Sequence, residues 1–426
     1  MSRGRIYYTL YGRLLEEKAL NRAFKKVKSA NGSAGVDGQS IKDFNQDLEG
    51  NVGQLQKELQ EKSYTPLPVL RVEIEKEGGG TRKLGIPAVR DRVVQQALLD
   101  ILQPIFEEDF HPSSYGYRPG RSCHQAITKS ELFIRKHDLD HVVDMDLSKC
   151  FDTLDHEQII RSFRKRITDG SILNLLRKFL ESGVQIGEDI EATKEGSPQG
   201  GVISPLIANV YLNEFDQEMK RRGHRIVRYA DDLLVFKATR SGAENALKQA
   251  TAIMEDWLKL TVNRKKTHLT KARHGVKFLG VVIHKSYTRI APEKVKALKA
   301  RVKRITRRNS PVSLIQVIGE LNPIIRGFAQ YFRIANCKNK FRGLMQWMRR
   351  RLRAKQLKLW KKPAKLHKEL RRRGYKSEGF AFIRMSSWRN ANCKPVCMAL
   401  PNRVFDEMGL FDMSSKETGI SVPLPE

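Results

Sequence analysis

The chain has 426 residues, 40% of them apolar, enough for two or three folded cores. Its formal net charge is +32, with 79 Lys and Arg against 47 Asp and Glu, a field that favours a polyanionic partner. No run of ~18 apolar residues can span a bilayer, and Met1-Ser2-Arg3-Gly4-Arg5 leads into no apolar signal core, so no membrane role and a cytoplasmic, nucleoid-associated location are expected.

In chain order, residues 13–28 are predicted helical, with Leu14, Leu15, Ala19, Leu20, Ala23 and Phe24 on one face. A glycine-bearing loop, 30–40, follows. Val69 to Ile74 alternates as a strand, Gly78-Gly79-Gly80 turns the chain, and Thr81 to Leu84 returns, a hairpin signal. Helices are expected over 91–106, with Arg92 near the start, and over 124–137.

Val142-Val143-Asp144-Met145-Asp146-Leu147 then reads as a buried strand ending in acid. Helices follow over about 156–166 and 171–182, then a loop at Pro198 to Gly201 and a helix over 203–220. Next come two apolar runs, Ile226-Val227 and Leu233 to Phe236, enclosing Tyr229-Ala230-Asp231-Asp232. Strands this apolar avoid paired charge, because an unpaired buried carboxylate costs several kcal/mol or more. A hairpin with both carboxylates at its tip, facing a divalent cation, resolves the conflict. A third carboxylate from the upstream strand completes such a site: Asp146 is taken for it, Asp144 is the rival, and Asp152 is read as orienting the turn. A helix is expected over 243–259, leading to Lys265-Lys266-Thr267.

Past Pro292, Val295, Leu298, Val302 and Ile305 recur at helical spacing among Lys and Arg. Between Lys285 and Lys376 stand 29 Lys and Arg against three acids, +26 of the total charge. That is too few acids for salt-bridge lacing, so this region is read as a nucleic-acid contact, with Arg326, Arg349, Arg350, Arg351 and Arg353 as its candidates. Phe328, Tyr331, Phe332 and Trp347 are read as core. Residues 363–412 read as a small appendage, and the chain after Ser414 as disordered. The five cysteines form no disulfide framework, and Cys393 with Cys397 has no second pair to hold zinc.

These blocks resemble a known family, the reverse transcriptases of the group II intron type. Asp146, four intervening residues and Phe151 resemble the family's first catalytic block, and Tyr229-Ala230-Asp231-Asp232 its metal-binding hairpin. Glu195 to Asn209 resembles the block lining the nucleotide pocket, Ser114 to Ser122 and Leu84-Gly85-Ile86-Pro87 the fingers, and Phe278-Leu279-Gly280 the last palm strand. The blocks keep the family's order from about residue 20 to about residue 400. The resemblance implies an α+β right-hand polymerase, with fingers and an antiparallel palm sheet followed by an α-helical thumb or maturase domain. The boundaries expected are 1–60 for an N-terminal extension, 61–284 for fingers and palm, 285–376 for the thumb and 377–426 for the appendage and tail.

It further implies RNA-directed DNA polymerase activity, with Asp146, Asp231 and Asp232 holding two Mg2+, for which Mn2+ could substitute. Lys76, Arg82, Arg92 and Lys266 would face the triphosphate or primer, Phe151 the sugar, and Pro198 and Gln199 the nucleotide or template base. Without the resemblance, Lys76 and Arg82 read as solvated hairpin charges, and Pro198 and Gln199 as loop punctuation. Glu75 stands where the family leads one to expect proline. The partners implied are template and intron RNA, a DNA primer or target, and deoxynucleoside triphosphates, for a bacterial protein acting as monomer or dimer. No HNH-type nuclease segment is seen, so no DNA-cleaving domain is expected. Two other roles stay open: a splicing maturase that clamps intron RNA, and a free-standing relative in DNA repair or phage defence.

Overall fold

The computed structural model describes residues 5–75, 81–193, 195–197, 200–376 and 383–425. It forms two compact units, one made of the chain up to Lys271 with the last few residues, the other of Ala272–Pro423.

The first unit opens with α1 (Tyr11–Leu14), α2 (Glu17–Ala30), α3 (Ile41–Gln46) and α4 (Leu48–Gln60). The single helix expected over 13–28 is broken at Leu15 and Glu16, where Glu16 is extended. A tertiary contact overrides the periodicity. The Leu10 and Tyr11 amides both donate to Asp169 Oδ2, at 2.7 and 2.8 Å, and fix the first turn separately. α2 still buries Ala19, Leu20, Ala23 and Phe24 as its pattern requires.

Then come β1 (Val69–Glu75), β2 (Thr81–Ile86), α5 (Val89–Glu107), α6 (Cys123–Arg135), β3 (His141–Met145), α7 (His156–Arg164), α8 (Gly170–Leu180), β4 (Val184–Ile186), β5 (Asp189–Glu191), α9 (Ser204–Arg221), β6 (Arg225–Tyr229), β7 (Asp232–Lys237), α10 (Arg240–Ala252) and β8 (His268–Lys271). One sheet has the order β2-β1-β4-β5, with β1 and β4 parallel. The expected hairpin is present as an antiparallel ladder from Leu70↔Ile86 to Glu75↔Thr81; its triglycine turn lies outside the described residues.

The second sheet, β6-β7-β3-β8, is antiparallel throughout, as expected of a palm. Its two faces differ. Side chains alternate along a strand, so Val143, Met145, Leu233 and Val235 enter the main core with α9 and α10. Val142, Asp144, Leu234 and Phe236 point the other way, and Phe133 of α6 meets Phe236 at 5.3 Å. That face is therefore apolar at one end and acidic at the other.

The second unit begins with β9 (Val276–Phe278), β10 (Val281–Ile283) and β11 (Thr288–Ile290), an antiparallel sheet. α11 (Pro292–Ile305), α12 (Leu314–Phe332), α13 (Lys338–Trp360), α14 (Pro363–Arg372), α15 (Lys394–Ala399) and α16 (Asn402–Glu407) follow. The change of unit precedes the expected break at 284/285, because these strands bond to the helices that follow. Tyr331 donates to the Leu279 carbonyl at 2.8 Å, and Thr288 exchanges bonds with Asn336. The chain after Ser414 is placed, contrary to expectation: the Gly419 amide donates to the carbonyls of Arg333 and Ala335.

Candidate active site

β6 and β7 close through Ala230 and Asp231, with Tyr229↔Asp232 as the last pair. Two-residue turns that match strand twist require positive φ, and Ala230 adopts φ 57°. The register Asp144↔Leu234 and Met145↔Leu233 brings the end of β3 beside the start of β7. By alternation, Asp144, Asp146 and Asp232 share one face, with Asp231 at the tip.

Asp146 is held by the segment ahead of β8. Its amide donates to Thr267 Oγ1 at 3.2 Å, and its carbonyl accepts from the Asn263 amide at 2.9 Å. Asn263 Nδ2 donates to Asp146 Oδ2 at 3.0 Å, and Lys266 Nζ lies 3.4 Å from the same oxygen. The His268 ring lies 3.7 Å from Asp144. Lys266 was expected near the triphosphate or primer; the structure puts it on a carboxylate of this group. Asn263 and Thr267 were not foreseen, because short polar loop residues carry no periodic signal.

Asp232 is open to solvent, yet protein surrounds it closely enough to strip part of its hydration. That desolvation, then the charges of Asp231, Asp144 and Asp146, raises its carboxyl to about 6, with Lys266 opposing. The buried Cys150 thiol is pushed up to about 12 by burial, then by the Asp231 charge. Asp232 thus feels three other carboxylates at the ends of β3 and β7. Hard oxygen donors of this kind fit a divalent cation such as Mg2+. Among the described residues, however, no three His, Cys, Asp or Glu side chains are gathered tightly enough to hold a metal ion as they stand. Asp146 is committed to Asn263 and Lys266.

A cavity of about 580 Å³ adjoins the β1–β2 hairpin, lined by Arg82, Leu84, Tyr117, Phe151, Gly201 and Ser204 among others. It brings together the expected Arg82 and Phe151 with Tyr117, which was not singled out. Gly200 and Gly201 line it, and Gly200 is a glycine for steric reasons. A Cβ on Gly200, at φ 121°, would meet the Gly85 carbonyl oxygen at 2.3 Å. Lys76, Pro198 and Gln199 lie outside the described residues. Arg92, expected at a phosphate, is instead buried and donates to the Ser33 carbonyl, holding the 31–33 loop against α5. An arginine one turn into a helix looks the same in sequence whether it faces solvent or a neighbouring loop.

The arginine run of α13 also needs correction. Arg349 is buried and pairs with Asp406 and Asp412, acids from outside the basic stretch. Arg353 is buried, donates to the Leu400 carbonyl and Asn402, and lies over Phe405. Arg350 stacks on Trp388 at 4.7 Å, and Arg351 lies over Trp347 and Trp388 while donating to Thr306. Arg349 and Arg353 thus belong to the second unit's interior, while Arg350 and Arg351 are half-buried against tryptophan rings. Arg326 is exposed, over Phe411 at 5.0 Å. Lys296, Lys299, Arg301, Lys303 and Arg304 of α11 are exposed, as are Lys365, Lys368, Arg371 and Arg372 of α14.

Residues 74–283 match the family described as reverse transcriptase (RNA-dependent DNA polymerase), and residues 295–374 match the group II intron maturase-specific domain. Protein YkfC of Escherichia coli K12 is 37% identical over 284 residues, covering 58% of this chain and 74% of that protein. The group II intron-encoded protein LtrA of Lactococcus lactis is 27% identical over 344 residues, covering 65% of this chain and 56% of that protein. Among solved structures, a chain of a Cas6-RT-Cas1–Cas2 complex is similar at TM-score 0.37 and 21% identity, over 58% of this chain and 42% of that chain. The chain thus spans just over half of LtrA. No described helix is long and apolar enough to cross a membrane. The chain belongs to the reverse transcriptases of the group II intron type, with an RNA-directed DNA polymerase domain followed by a maturase-specific domain.

Proposed function

We propose that this chain copies RNA into DNA at the carboxylate group formed by Asp146, Asp231 and Asp232, with Asp144 flanking it. The observation that carries this reading is the gathering of four acids at the ends of two adjacent strands, where desolvation and then the charges of Asp231, Asp144 and Asp146 raise Asp232 to about 6. Structural ion pairs avoid such like-charge crowding; catalytic sites use it. When bound there, two divalent cations such as Mg2+ would lower the pKa of the primer 3′-hydroxyl and neutralise charge on the departing pyrophosphate.

The chain's own residues position the reactants, which accounts for most of the rate in phosphoryl transfer. Asp231 and Asp232 present carboxylate oxygens from the tip of the β6–β7 hairpin. Asn263 fixes the orientation of Asp146, and the Lys266 ammonium screens that carboxylate until substrate phosphates arrive. Arg82 offers phosphate a planar pair of donors at the cavity wall, while Phe151 crowds the sugar and favours deoxynucleotides. Template RNA, a DNA primer and deoxynucleoside triphosphates are the substrates of this reading. The match of residues 295–374 to the maturase-specific domain supports a second role, binding intron RNA to assist its splicing and mobility.

Primer extension on an RNA template with Mg2+ tests the first role. Asp231→Asn should abolish synthesis and leave RNA binding within about twofold; normal extension by this variant removes the assignment. Splicing assays with the same variant separate the two roles, since clamping RNA needs no carboxylate.

A further inference from the structure

Within the apolar strand β6, one charged side chain is fully enclosed. Arg228 is 1% exposed, and its partner Asp216, on α9, is 0% exposed. The guanidinium is bidentate on that carboxylate: Nε lies 3.0 and 2.9 Å from its two oxygens, and Nη2 lies 2.7 Å from Oδ2. The remaining nitrogen, Nη1, reaches in two directions. It donates to Asn209 Oδ1 at 3.0 Å and to the Ala230 carbonyl at 3.1 Å.

That last bond links the pair to the acidic turn. The Ala230 carbonyl shares a peptide plane with the Asp231 amide, so holding the oxygen holds the plane from which Asp231 departs. The other side of the turn is held by the segment 113–116. The Arg228 amide donates to the Ser113 carbonyl and the Tyr115 amide to the Arg228 carbonyl, both at 2.9 Å. Asn209 Nδ2 donates to the Gly116 carbonyl at 2.8 Å. Gly116 lies so close that a Cβ there would meet the Ala230 nitrogen at 2.3 Å. A positive-φ alanine therefore sits between a glycine backbone on one side and a guanidinium on the other.

A buried ion pair is weak evidence of stabilisation, because desolvation offsets most of the Coulomb gain, and apolar residues of similar volume often serve stability as well. What apolar residues could not supply is directional donors to two more acceptors at fixed angles.

We propose that Arg228 is a positioning residue, aligned by Asp216 and Asn209, which fixes the Ala230–Asp231 peptide and so sets where the tip carboxylates stand. The inference rests on the reading of Asp231 and Asp232 as the catalytic carboxylates. It ties together three separate stretches of sequence: the 113–116 segment, α9 and the hairpin.

The test uses the full chain with three variants. Arg228→Lys keeps the charge facing Asp216 but lacks the fork. Asn209→Ala leaves the ion pair intact and removes one alignment bond. Gly116→Ala presses on the turn from the opposite side. Each should lower kcat for primer extension roughly tenfold to a hundredfold, with KM for the nucleotide and affinity for primer–template within about twofold. Each should also speed amide exchange in the peptide covering 226–236 without a matching change elsewhere. Asp231→Asn runs alongside. If it still extends primers, the functional reading itself fails. If it is inactive while Arg228→Lys and Asn209→Ala keep wild-type kcat and hairpin exchange, only the positioning role is overturned. A fall in kcat that tracks a lowered melting temperature, with no local change in exchange, also overturns it. Should Arg228→Lys not fold, Asn209→Ala and Gly116→Ala decide alone.

Discussion

Two regions concentrate charge of one sign, and the protein treats them oppositely. At the ends of β3 and β7, four carboxylates crowd together, with Lys266 and Asn263 against Asp146 and His268 against Asp144. On α13, Arg349, Arg350, Arg351 and Arg353 follow one another, and each is absorbed: by Asp406 and Asp412, by backbone carbonyls, or by the faces of Trp347, Trp388 and Phe405. A guanidinium has five donors and a stacking plane, so carbonyls and rings can satisfy it without any acid. A carboxylate accepts only, and packing like carboxylates together leaves charge that a ligand must answer. Acidic crowding therefore favours the proposed chemistry here, while the buried arginines of α13 belong to architecture.

The largest effect that would break this contrast is at Asp146. Asp146→Asn should cut primer extension by about a thousandfold or more, equivalent to roughly 4 kcal/mol of barrier, yet leave the melting temperature unchanged or raised. A clear loss of stability would mean that the carboxylate serves the fold. On α13 the reverse is expected. Arg353→Ala should cost about 3 kcal/mol of stability in denaturant titrations, since it strands the Leu400 carbonyl and opens a void beside Phe405. Unaltered stability with weakened RNA binding would return Arg353 to the nucleic-acid surface.

A smaller effect concerns Asp91, buried beneath Tyr64 and the Leu67 amide. Burial raises its carboxyl to about 6, against the lowering effect of those bonds and of Arg90. The folded state thus holds this proton more tightly than the unfolded chain does. Its contribution is fullest below pH ~4 and is lost as pH rises through about 6, by about 3 kcal/mol. Urea midpoints across that window should show Asp91→Asn gaining on the wild type as pH rises; a constant difference would show that Asp91 titrates normally. The smallest effect is on α11. Lys296→Gln combined with Lys303→Gln should lower the slope of log affinity for RNA against log salt by about one to two, with no change in melting. An unchanged slope would move the RNA contact off this helix.

The acidic site was legible because it breaks a rule visible in sequence: Asp144 and Asp146 end one apolar strand, and Asp231 and Asp232 interrupt a pair of them. Its support was partly legible. Arg228 carries the same kind of signal, a charge within Ile226-Val227, but its partners Asn209 and Asp216 sit on α9 among ordinary helix polar residues. Asn263 and Thr267 were hidden, since loop residues gain meaning only from what lies opposite them. The burial of Arg349 and Arg353 was not legible because composition counts nearby acids, whereas carbonyls and rings make no entry in a charge count. The break of the first helix at Leu15 and Glu16 has the same origin, a distant carboxylate, Asp169, that periodicity cannot register.

Ala230 sits in a backbone conformation that suits glycine, at a cost of roughly 1 kcal/mol to the fold. A design procedure rewarding thermal resistance alone would replace it with glycine. That exchange should make a hardier protein with a looser turn, the familiar opposition between robustness and turnover. The alanine methyl narrows the conformations open to this loop, and the chain gives up some durability in exchange for a stiff edge beneath its two terminal acids.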